Sequence, residues 1–101
     1  MAKEIFMIKH LVMYKLKDNS EENRKALVEK FYTMKGKIDL LVDLNAGFDI
    51  VGSQRAYDVA LECVFKTKED LDAYAVHPLH LPVKEYVHSV ISEAHSVDFV
   101  F

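Results

Sequence analysis

At 101 residues, with 13 Lys and Arg against 16 Asp and Glu, the chain carries a formal net charge of −3. That length fits one domain over residues 1–101, and the lack of a basic stripe argues against a nucleic-acid partner. No apolar run approaches the roughly 18 residues that span a bilayer, and the first residues lack a signal peptide's layout. The single Cys63 cannot form an internal disulfide, so the expected setting is cytoplasmic, with no membrane association.

Residues 5–17 predict a long first strand. Ile8, His10, Val12, Tyr14 and Leu16 fall on one face, and Met7, Lys9, Leu11, Met13 and Lys15 on the other. Both faces carry large apolar side chains, which calls for two covering layers. A chain this short buries only about 60–70% of its unfolded surface, so a second copy is the economical source of the outer layer. Asn19, with Glu22 three positions on, resembles a capping box for the first helix. Leu27, Phe31, Met34 and Ile38 then form its apolar stripe, and Gly36 weakens its last turn.

Residues 41–48 predict a second strand with irregularity near Asn45 and Gly47. After a turn at 52–54, Tyr57, Val59, Leu61, Cys63 and Phe65 alternate along a third strand. Asp58 and Glu62 lie on its opposite face, in reach of Lys9 and Lys15. Thr67 is a suitable N-cap for the next helix, with Asp70 three residues on.

The helical spacing of Leu71, Tyr74 and Ala75 is interrupted by two prolines. Pro78 disfavours helix at His77, and Pro82 lacks the N–H that an interior position donates. A bend between Val76 and Pro82 follows, with the helix restarting at Pro82. Val83, Val87, Val90 and Ile91 repeat at helical spacing beyond it. The chain closes on a strand in which His95, Val97, Phe99 and Phe101 alternate with Ser96, Asp98 and Val100. The order β-α-β-β-α-β predicts an α+β, ferredoxin-like unit: a four-stranded antiparallel sheet with its helices on one face.

In the run from Ile8 to Asp18, the stretch from Phe65 to His80 and the closing Val97-Asp98-Phe99, the chain resembles the Dabb family of stress-responsive dimeric A/B barrel domains. The resemblance implies a homodimer in which two sheets close an α/β barrel. A plant polyketide cyclase of the family closes a poly-β-ketone chain by aldol condensation without metal or organic cofactor. By that resemblance its catalytic histidine and tyrosine correspond to His80 and Tyr74, and a pocket histidine to His10. Val59 stands where that enzyme carries another pocket histidine. Val12, Tyr14, Leu27, Phe31, Val59 and Val87 would line the helix-facing side of a small apolar pocket, with His77 beside it at the bend.

Abstracting a proton alpha to a carbonyl needs a neutral base with a pKa near ambient pH, and histidine fits. A helix starting at Pro82 would keep His80 neutral through its positive end, and the Tyr74 hydroxyl would hold the substrate carbonyl. The plainer readings are that His77 and His80 cap helix ends, and that His10 is a core histidine with its hydrogen bonds satisfied. His77 and His80, with His88, Asp70 or Asp72, form only a sparse metal motif, so no metal or other cofactor is expected. Cys63 alternates on an apolar face and reads as inert packing. Three functions follow: cofactor-free cyclase or lyase chemistry on a small aromatic or other carbonyl compound, stress-associated ligand binding without turnover, and, by fold analogy, a cofactor-free monooxygenase.

Overall fold

A computed structural model describes residues 6–101. The elements run β1 (Ile8–Leu16), α1 (Glu21–Tyr32), β2 (Asp43–Phe48), β3 (Val59–Phe65), α2 (Lys68–Ala75), α3 (Leu81–Val90) and β4 (Ile91–Val100). The sheet order is β2-β3-β1-β4 with every neighbouring pair antiparallel. This is the ferredoxin-like fold, with the second helical segment divided in two by the bend. No helix among the described residues is long and apolar enough to cross a membrane.

Period-two alternation builds the core. Val12, Tyr14 and Leu16 of β1 and Val59, Leu61, Cys63 and Phe65 of β3 are buried beneath Leu27 and Phe31 of α1, Tyr74 of α2, and Val83 and Val87 of α3. The opposite face is open. Met13 and Val97 there are 46% and 55% exposed. With Leu11 and Ala60 they line a shallow apolar hollow of about 480 Å³.

Several boundaries differ from the sequence reading. The expected start of the first strand at Ile5 lies outside the described residues. The N-cap of α1 is Ser20, not Asn19: Ser20 has extended backbone and its Oγ accepts from the Asn23 N–H at 3.1 Å. The helix ends at Tyr32, yet Met34 and Ile38 remain buried on a run of turns. Within that run Gly36 takes a positive φ of 75°, which a side chain would oppose. Thr67 caps α2 as expected, accepting from the Asp70 N–H at 3.1 Å.

The helix restarts at Leu81, one residue before Pro82. Ile91 belongs to β4 rather than to the helix. The Lys17 N–H takes the Val90 carbonyl at 2.9 Å, which ties the end of α3 to the end of β1 and turns the chain into the sheet. Lys9 reaches Glu62 at 3.9 Å. Lys15 instead lies over the Tyr57 ring, because the Asp58 carboxylate accepts the Leu16 N–H at 2.8 Å.

Candidate functional site

A cleft of about 440 Å³ opens between α2, α3 and the β1–β4 half of the sheet. Its position follows from β4. The residues of β4 opposite Tyr14, Val12 and His10 are Ala94, Ser96 and Asp98, and Ala94 and Ser96 are smaller than the Val, Leu and Phe that β3 turns inward. Small side chains under α3 leave space that the helix does not fill.

His10, Val12, Tyr14, Phe31, Tyr74, His80 and Val87 all line this cleft. Three of the expected pocket residues do not, and one of them, Leu27, is fully buried in the core. Val59 is 2% exposed in the core, paired with Tyr14 and Phe48 at the far end of β3. His77 stays in the bend, where its Nδ1 accepts the Leu79 N–H at 3.1 Å and its carbonyl takes the His80 and Leu81 N–H groups. These bonds close the bend itself and His77 caps neither helix, since the C-cap of α2 is Val76 and the N-cap of α3 is His80, without a side-chain cap bond.

His80 sits where α2 gives way to α3. Its Nδ1 lies 3.2 Å from the Ala75 carbonyl. A carbonyl only accepts, so Nδ1 carries the hydrogen and the neutral ring keeps its lone pair on Nε2. The ring stacks on Tyr74 at 4.1 Å between centroids. Burial lowers the His80 pKa below its ordinary value, and the positive charges of Lys84 and His10 act in the same direction. The Ala75 carbonyl opposes them and does not win. Burial, rather than the helix end, is thus the first reason the imidazole stays neutral.

Tyr74 offers the cleft its ring and not its hydroxyl. The side chain is 3% exposed and packs on Phe65 at 5.0 Å. Its O–H donates to the Met34 sulfur at 3.8 Å, and burial raises its pKa. Burial likewise raises the pKa of Tyr14 and pushes the Cys63 thiol up to about 12, so Cys63 carries no thiolate at neutral pH.

The group that sequence reasoning missed is Asp98. The β1–β4 register sets it opposite His10, and the His10 Nδ1 approaches its carboxylate at 2.5 Å. The available signal was its place in the last strand, which an antiparallel split fold lays beside the first. Lys84 and His88, one and two turns beyond His80, also line the cleft. Among the described residues no group of three or more His, Cys, Asp and Glu side chains is placed to hold a metal ion.

Two stress-response A/B barrel domain-containing proteins of Arabidopsis thaliana are each 26% identical to this chain over 93% of its length. The chain spans 36% and 47% of those two proteins. Among solved structures, a dimeric ferredoxin-like protein of unknown function from Thermobifida fusca superposes with a TM-score of 0.83 at 17% identity, covering 100% of this chain and 96% of that one. A hydroxynitrile lyase from Passiflora edulis superposes with a TM-score of 0.80 at 12% identity, covering 94% and 93%. The sequence profile of the stress-responsive A/B barrel domain matches residues 8–101, from the first residue of β1 to the end of the chain. A match of that extent takes in the His10 strand, the Tyr74–His80 bend and the strand that carries Asp98, and the chain belongs to the stress-responsive A/B barrel (Dabb) family.

Proposed function

We propose that this chain pairs with a second copy across the open face of its sheet, and that each inner cleft takes a small apolar carbonyl compound. On that ligand His80 acts as a cofactor-free base in cyclase- or lyase-type chemistry. The observation that carries the reading is the bond from His80 Nδ1 to the Ala75 carbonyl, which leaves an Nε2 lone pair in a cleft shared with His10 and Asp98.

His80 Nε2 removes a proton from the carbon beside the carbonyl. The C–H electron pair becomes the C=C bond of an enolate, and the carbonyl π pair moves onto oxygen. In its protonated form His10 donates Nε2–H to that oxygen, and the Asp98 carboxylate at 2.5 Å balances its charge. Attack of the enolate carbon on a second carbonyl closes a ring; the reverse sequence cleaves a bond. The imidazolium of His80 then returns its proton. The ring of Tyr74 positions His80 by stacking. The dimer is supported by the apolar open face and by the dimeric protein of the same fold, and lyase chemistry by the hydroxynitrile lyase of that fold.

A second reading, binding without turnover, is favoured by one observation. The Tyr74 hydroxyl points into the core and leaves His80 with one fewer proton-transfer partner. Deuterium exchange at the acidic carbons of phenylacetone in D2O, followed by proton NMR, separates the two. Wild-type protein should accelerate exchange above buffer, and His80→Gln should lower that acceleration by about 100-fold. Binding of the ketone with no acceleration by the wild type selects the second reading; no binding at all removes both.

A further inference from the structure

We propose that Lys84 is an anion anchor, and that the compound taken by the cleft is a small apolar carboxylate whose reacting carbon lies within one helical turn of its charge. The inference rests on the cleft being the ligand site and narrows the class of ligand.

Three acidic or basic side chains other than histidine line the cleft: Asp72, Lys84 and Asp98. Asp98 is engaged by His10 at 2.5 Å. Asp72 is paired with Lys68 at 2.9 Å, on the outer surface of α2. Lys84 joins no ion pair among the described residues. Its sequence explains why. The positions three and four residues away on α3 are His80, Leu81, Val87 and His88, none of which is acidic. One uncompensated cation therefore stands over walls made by Val12, Phe31, Leu61, Val83 and Val87. A cationic ligand would find both carboxylates occupied. A neutral one would gain nothing from the ammonium of the exposed Lys84, and an apolar acid complements both parts.

The spacing adds a chemical constraint. Lys84 follows His80 by four residues, so the two side chains start from neighbouring points on one helix face, about 5–6 Å apart. A carboxylate on Lys84 sets the adjacent carbons beside Nε2. It also changes the base. On its own the Lys84 charge helps hold His80 below its ordinary pKa. A bound carboxylate cancels that charge and makes His80 a better base when substrate arrives.

The test compares 3-phenylpropanoate with its neutral isostere 3-phenylpropanamide. Binding to the full chain is followed by NMR shifts of cleft residues, alongside titration of the His80 ring. The acid should bind the wild type about fivefold more tightly than the amide, or better. Lys84→Gln should abolish that preference, chiefly by weakening the acid, and Lys84→Glu should reverse it. The His80 midpoint should rise with the acid bound and not with the amide. Equal binding of acid and amide by the wild type, or a preference that survives in Lys84→Gln, overturns the anchor while leaving the cleft reading intact. Failure of both compounds to bind overturns the two together.

Discussion

At His80 the two ring nitrogens have separate tasks. Nδ1 holds the Ala75 carbonyl, and Nε2 carries the base role in the proposed reaction. Burial, reinforced by Lys84 and His10, lowers the pKa from 6.5, which fixes the sign of the pH dependence. Exchange catalysed by the wild type should fall as the pH drops through the His80 titration, with the midpoint of that acid limb below 6.5. A midpoint at or above 6.5 would contradict the assignment. Stability follows the same sign: the unfolded chain takes up the proton first, so His80 contributes fully above the unfolded value and its contribution is lost as the pH falls toward the folded one. The closeness of Tyr74 and His80 was legible in the sequence, because two prolines confine the bend between them. The direction of the Tyr74 hydroxyl was not, since its acceptor, Met34, lies 40 residues earlier. Asp98 was equally hidden, because its partner His10 is 88 residues away and only a strand register joins them.

At the level of elements, periodicity located every strand and both helical regions, while the ends were set by details that composition does not rank. Asn19 and Ser20 are both good capping residues. The backbone decides between them, with φ −73° and ψ 157° at Ser20 and its hydroxyl on the Asn23 N–H. Ser20→Ala should therefore cost about 1 kcal/mol in urea unfolding, and Asn19→Ala clearly less; the opposite order would put the cap back on Asn19. Ile91 illustrates the same limit. Its spacing from Val83 and Val87 suits a helix, yet the bond from the Lys17 N–H to the Val90 carbonyl ends α3 and starts β4. The register then shifts between Lys15 and Leu16, which takes up the irregularity of that entry.

For the molecule as a whole, the telling feature is a sheet that is apolar on both sides and covered on one. This too was visible in the alternation of β1, where Leu11 and Met13 oppose Val12 and Tyr14. On β4, Val97 pairs with Leu11 near the middle of the open face and is 55% exposed. In sedimentation at micromolar concentration the wild type should run as a dimer. Val97→Asp should shift it toward a single subunit with unchanged helical circular dichroism, because a buried unpaired carboxylate opposes association. A wild type that sediments as a folded monomer would end the barrel proposal. The cleft lies on the other side of the sheet, and its walls meet at the joint that His80 fastens. Because that fastening uses Nδ1–H, it survives whether or not Nε2 is protonated. Protonating and deprotonating Nε2 thus leaves the clasp between the two helices shut, and under the proposed chemistry the receptacle would need no mechanical reset between one turnover and the next.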